Sequence, residues 1–227
     1  MSGGLNFESP FMRALDIIAN LLVLNILTVI CSLPVFTFGA AYTALHKQLY
    51  RMRTNEEGYI VRDYFREFKS SFKQATKVWL GILAIGLVLG IDVYIFMEKG
   101  LEFAVYYKIF IYALVFTLCL CTVYVFPIIA RYETTGKNAV KNALAMAFYS
   151  FFKSILMVAV TVAPWVLAAF VANFVLIDLL FGISLPAYIC VFLYNKTFQA
   201  FEEKQEEAQQ EEALLNDEQI EKENITK

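Results

Sequence analysis

The chain has 227 residues, 59% of them hydrophobic, 16% aromatic and 18% charged, and its mean hydropathy is +0.57. That much apolar surface excludes an ordinary soluble domain and predicts an integral membrane protein, with the lipid bilayer as a partner and no nucleic acid. The formal charge of -2 hides two opposite parts: residues 201–227 hold ten of the 21 acids and three of the 19 bases, so 1–200 carries 16 bases against 11 acids.

In chain order, residues 1–10 lack the basic start and small-residue cleavage site of a secretory signal, so the first apolar run is expected to stay in the protein. Residues 14–33 give a run long enough to cross a hydrocarbon core of roughly 30 Å. Its polar residues, Asp16, Asn20, Asn25, Thr28 and Ser32, are scattered around the helix rather than aligned as a pore stripe. Hydrogen bonding to neighbouring helices is the expected use of the Asn and Thr side chains. Pro34 and Gly39 are expected to interrupt the run. Residues 41–53 continue as an amphipathic stretch whose apolar face is expected to pack at the cytoplasmic edge, His46 with it.

Residues 56–77 form the one long basic and aromatic segment between strongly apolar runs. On a helix, Val61, Tyr64, Phe65, Phe68 and Phe72 recur at spacings of three and four and share a face, while Arg62, Arg66, Lys69 and Lys73 take the flanks and the opposite side. Asp63 and Glu67 are spaced to meet basic neighbours. The segment reads either as a solvated connecting helix that fixes topology or as a binding surface. On the second reading Tyr59, Arg62, Asp63, Tyr64, Phe65, Arg66, Phe68 and Phe72 are the candidate partner-binding residues.

The second crossing is predicted over 78–97, where Gly86 and Gly90 give a GxxxG spacing that permits close helix packing, within one chain or between two in a homo-oligomer. Asp92 sits near its outer end. A short outer connection at 101–107 leads to the third crossing, 108–129, with Pro127 near its end. After a turn at 131–136, residues 137–153 make a second connecting helix. Offset by 79 positions, Val61-Arg62-Asp63 falls on Val140-Lys141-Asn142 and Ser71-Phe72 on Ser150-Phe151, a layout consistent with a duplicated helix, connector, helix unit. The fourth crossing is predicted over 155–174, bent at Pro164. Val175 to Asp178 and Gly182 are expected to form a tight outer turn, and Ile183 to Tyr194, with Pro186, the core of a fifth crossing over 179–194 that begins within the Leu179 to Phe181 run. The fold class is therefore an all-α membrane protein of about five transmembrane helices with two amphipathic cytoplasmic connecting helices. Residues 201–227 follow as an acidic cytoplasmic tail, helical or disordered.

Little in this chain points to catalysis. Cys31, Cys119, Cys121 and Cys190 all lie in apolar runs and imply no disulfide framework, and Cys119 and Cys121 diverge on a helix and cannot jointly hold a metal. One histidine and scattered thiols assemble no nucleophile, base and orienting acid, and no Gly-rich phosphate cradle is present. No enzyme activity, catalytic residue, cofactor or metal is expected. The predicted crossings carry no mid-bilayer Lys, Arg, Asp or Glu, which weakens a carrier reading.

The segment Ser32-Leu33-Pro34-Val35-Phe36-Thr37-Phe38-Gly39-Ala40-Ala41-Tyr42-Thr43-Ala44-Leu45, with Glu56-Glu57-Gly58-Tyr59 and Arg62 to Thr76, resembles the YesL family of small bacterial membrane proteins. The resemblance is specific over 5–98 and looser to about 198. It implies a bacterial cell-membrane location and no established biochemical activity. Members are often encoded beside ATP-driven carbohydrate importers, so an accessory or regulatory role beside importer subunits is the inherited expectation. A small-solute carrier or channel is the alternative. The second connector lacks the Glu-Ala-Ala and downstream Gly pattern by which importer permeases dock their ATPase, which argues against the chain being the permease itself.

Bases cluster on the two connectors, while the outer links hold only Lys99 and Lys108, so the N-terminus is expected outside and both connectors and the C-terminus inside. Single cysteines introduced as Arg66→Cys and Lys99→Cys are expected to react with an impermeant thiol reagent from opposite sides of a sealed cell. Labelling of both from one side would reject this topology.

Overall fold

A computed structural model describes residues 10–54, 56, 58–99, 105–132, 134–171, 174–200 and 203. Apart from Glu203, the expected acidic tail lies outside the described residues. Among the described residues every regular element is helical and none is a strand. The order is α1 (Pro10–Ser32), a 3-10 turn (Val35–Thr37), α2 (Phe38–Thr54), α3 (Ile60–Lys99), α4 (Val105–Arg131), α5 (Gly136–Tyr149), α6 (Phe151–Phe170), α7 (Phe174–Phe181) and α8 (Ser184–Ala200).

Four stretches are long and apolar enough to cross a bilayer, Met12–Ser32, Ile60–Ile95, Tyr106–Arg131 and Phe151–Phe170, and α7 with α8 makes a fifth if the bent pair is one span. Large apolar side chains face outward along them, including Ile85, Leu87, Val88 and Ile91 on α3, Trp165 and Phe170 on α6 and Leu176 on α7. Water would penalise such a surface, whereas lipid chains are as apolar as the side chains themselves. The build fits a multi-pass membrane protein.

Three expectations need correction. The first connector is not a separate helix, because neither Gly nor Pro falls between Ile60 and Leu80 and the helix continues unbroken into the second crossing. At about 1.5 Å per residue its 40 residues exceed what a hydrocarbon core requires, so part of α3 stands clear of it. The second connector does end, at Ser150 (φ -115, ψ 49), and Phe151, Phe152 and Lys153 already belong to α6. Finally, Val175 to Asp178 form no turn: they lie inside α7, and the fourth crossing closes at Phe170 rather than at 174.

α2 occupies the centre rather than an edge. Ala40, Ala41, Ala44, Leu45 and Leu49 are fully buried on it, and the core extends to Leu24 on α1, Tyr124, Phe126 and Ile128 on α4, Met157 on α6, and Tyr194 and Phe198 on α8. A Cβ added at Gly39 would stand 2.6 Å from Trp79 Cβ and 2.7 Å from the Ala75 carbonyl oxygen, so only glycine lets α2 and α3 meet there. Gly39 faces Ala75 and Trp79 while Arg51 faces Asp63 and Glu67, which makes the two helices antiparallel. Trp79 Nε1 closes the top of this hairpin by donating to the Val35 carbonyl at 2.8 Å.

α7 and α8 bend by 58° at Gly182 and Ile183. The break sits well inside the bundle, where Gly182 and Ile183 share a small pocket of about 120 Å³ with Tyr42, Thr122, Thr161 and Trp165. Backbone groups freed at a break in apolar surroundings need partners. Asn25, fully buried on α1, supplies them: its Nδ2 donates to the Leu179 carbonyl at 2.8 Å, and its Oδ1 accepts from the N–H groups of Ile183 at 3.1 Å and Ser184 at 3.0 Å. Asn25→Leu is expected to lower stability by about 1–3 kcal/mol, the cost of stranding buried polar groups. Reversible unfolding in mixed micelles measures it, and an unchanged midpoint would show that the break does not depend on Asn25.

Candidate functional site

Polar chemistry converges where α2, the first half of α3 and the end of α4 meet. Arg51, in the last turn of α2, reaches Glu67 at 3.2 Å and Asp63 at 3.7 Å, and Arg66 bridges back to Asp63 at 3.0 Å across one turn of α3. Ser70 Oγ donates to the Glu67 carbonyl at 3.0 Å. Gln74 Nε2 donates to the Thr134 carbonyl at 2.6 Å and fastens α3 to the link between α4 and α5. Arg51, Arg66, Glu67, Ser70, Gln74 and Thr134, with Lys47, Arg131, Ser71 and Thr135, line an open cleft of about 620 Å³, and Asp63 stands outside its lining. Arg131 is held in its wall by Asn195 Oδ1, 3.0 Å away, and lies over the rings of Tyr50, Tyr132 and Phe198.

Beneath the cleft His46 is buried, not interfacial as its place in an amphipathic stretch suggested. Its Nδ1 lies 3.3 Å from the Tyr194 hydroxyl, its ring meets Tyr42 edge-on at 4.5 Å, and its Nε2 is buried without a partner. Burial pushes the imidazole down to about 3, so it is neutral at physiological pH. His46, Lys47, Ala130, Arg131 and Tyr194 line a crevice too narrow for water, which floors the cleft.

The eight residues singled out on the first connector do not share one surface. Tyr59 is 80% exposed, and Arg62, Phe65 and Arg66 also point outward. Tyr64 is instead wholly buried, donating to the Ala41 carbonyl at 3.1 Å and to Thr28 Oγ1 at 3.3 Å, which removes it from any partner-facing set. Asp63 is committed to its two arginines, and Phe68 and Phe72 pack half-buried against each other at 5.5 Å. The apolar stripe suggested a single face because the sequence does not show that the helix opposite presents Arg51. Asp63 and Glu67 turn inward to meet it, and the buried face is rotated toward Tyr64 and Ala75. Lys47, Arg51, Gln74 and Arg131 were not among the expected site residues. The i, i+4 spacing of Lys47 and Arg51 was the available signal.

Among the described residues Gly86 and Gly90 bring no other helix into close contact. A Cβ at Gly86 would meet Leu118 at an ordinary 3.7 Å, and at Gly90 it would meet nothing within 4 Å. Gly86 instead lines an open apolar groove of about 690 Å³ between α3, α4 and α6, together with Trp79, Ile82, Leu118 and Val158. Among the described residues no group of three or more His, Cys, Asp and Glu side chains is placed to hold a metal ion.

The fold and the cleft define a multi-pass helical protein with a polar, basic end. Residues 21–93 match the model of a protein family of unknown function, DUF624, a stretch running from the middle of α1 through most of α3. It contains Lys47, Arg51, Arg66, Glu67 and Gln74, whereas Arg131 and Thr134 lie beyond it. No curated protein and no solved structure matches the chain.

The buried histidine has a pH consequence. Its folded value, about 3, lies below the ordinary 6.5, so between these pH values the unfolded chain takes up a proton that the folded chain refuses. Stability contributed by neutral His46 is complete above pH 6.5 and is lost as pH falls toward 3, with a slope of up to about 1.4 kcal/mol per pH unit. Unfolding midpoints of the wild type across this window are expected to fall more steeply than those of His46→Gln. Parallel curves would contradict the assignment.

Proposed function

We propose that the chain is a non-enzymatic integral membrane accessory or regulatory protein that presents its basic end to a partner. The single observation carrying this reading is the outward face at the start of α3. Tyr59, Arg62, Arg66 and Lys69 follow one another at steps of three, four and three, with Phe65 beside them three residues after Arg62 and four before Lys69, and all five are exposed, so they form one broad stripe. Exposed Tyr and Arg side with an aromatic neighbour are the residue types that dominate protein–protein contact energies. On the positive-inside rule this end faces the cytoplasm of a bacterial cell. Following the resemblance to YesL, the partner is a subunit of an ATP-driven carbohydrate importer.

One observation favours a second reading, a small-solute carrier. The fifth span is discontinuous inside the bundle, and broken helices line substrate sites in many transporters. Against it, the backbone groups at the break are taken by Asn25 rather than left for a solute.

Affinity purification from native membranes is expected to recover importer subunits with the wild type and to lose them with the double change Tyr59→Ala and Arg62→Glu. Both positions lie outside the core, so the variant is expected to keep the wild-type melting midpoint. Recovery unaffected by the double change, or solute flux through liposomes containing this chain alone, would overturn the accessory reading.

A further inference from the structure

The cleft shares Arg66 with the outward stripe and is otherwise separate from it, and its Lys47 has no carboxylate among the described residues. Lys47, Arg51 and Arg66 line it with Arg131 held in its wall, and Glu67 and Asp63 meet Arg51 and Arg66. Arg51 is satisfied by both acids. Arg66 has Asp63 on one side, yet its side chain is still 57% exposed. Among the described residues Lys47 makes no ion pair or hydrogen bond, and the Ser71 hydroxyl is likewise unpaired.

Topology alone does not account for this arrangement. Basic residues that fix orientation need only lie on the correct side of the bilayer. Lys69, Lys73 and Lys77 meet that need on the exposed surface. Gathering Lys47, Arg51 and Arg66 from two helices around one concavity costs repulsion that Glu67 and Asp63 offset at the arginines and that an anion beside Lys47 would relieve. Ammonium, forked guanidinium and hydroxyl donors together suit the tetrahedral oxygens of phosphate. About 620 Å³ lies within the range of small-molecule sites, roughly 300–1,000 Å³. The crevice over His46 closes the cleft below, so a ligand enters from the open end.

We propose that this cleft binds a phosphate-bearing anion, with Lys47 and Arg66 as its contacts and Arg51 and Arg131 fixed behind them. The chemistry is common to the phosphomonoester headgroup of an anionic lipid and to a soluble phosphorylated compound. The proposal does not depend on the importer reading, since it concerns the interior of the cleft and needs no partner.

Two arms separate the sources. In the first, the full chain in neutral detergent is titrated calorimetrically with inorganic phosphate and with glycerol 3-phosphate. In the second, native mass spectrometry scores retention of phosphatidic acid against phosphatidylcholine. Lys47→Gln removes a cation with no partner among the described residues and is expected to weaken binding about tenfold or more, the weight of one charge-assisted hydrogen bond. Lys73→Gln, exposed and away from the cleft, is expected to leave it unchanged. Binding in the first arm that is sensitive to Lys47→Gln assigns a soluble ligand, and sensitivity in the second arm alone assigns a lipid headgroup. No binding in either arm, or equal weakening by Lys47→Gln and Lys73→Gln, overturns the proposal.

Discussion

A peptide group that leaves its helix inside an apolar bundle finds no water, and this fold depends on side chains that reach such groups. Asn25 does so at the break between α7 and α8, serving one carbonyl and two N–H groups from a neighbouring helix. At more exposed places Trp79 reaches the 3-10 turn, and Gln74 reaches the link between α4 and α5 beside the open cleft. Each join is made by a residue distant in sequence, so the irregular points of the chain also tie the helices to one another. An unmet group in hydrocarbon costs several kcal/mol, enough to decide where a chain can bend.

The same constraint explains which parts of the architecture are legible in the sequence. Long apolar runs bounded by Pro34 or by charged residues mark the first four crossings, because helices are the simplest way to pair every backbone group in lipid. The fifth is harder to read. Asp178 and Gly182 look like turn residues, yet Asp178 lies within α7 and only Gly182 and Ile183 leave the helix. The residue that makes a bend tolerable there, Asn25, lies more than 150 positions earlier, and nothing local to the bend announces it.

Glycine gives a comparable lesson. Gly86 and Gly90 carry the recognisable spacing but have open surroundings, whereas Gly39, read only as an interruption after Pro34, marks the backbone contact that seats α2 against α3. A spacing motif shows that close approach is permitted at two positions. It does not show that a second helix arrives. Gly39 has no pattern around it because its partners, Ala75 and Trp79, lie on another element.

The basic end was visible in outline, since the cationic and aromatic character of residues 56–77 is plain in the sequence. Its division into an outward stripe and an inward cleft was not, because that division is set by Arg51 on α2. Asp63 and Glu67 turn toward Arg51, which carries Tyr64 into the core and leaves Tyr59, Arg62 and Phe65 outside. Arg66 belongs to both surfaces: it is exposed on the stripe, lines the cleft and is held by Asp63. On the two proposals a change at Arg66 would therefore perturb docking and anion binding together. Lys47 and Arg62 each touch only one surface, which is why they, and not the more conspicuous Arg66, separate the two roles.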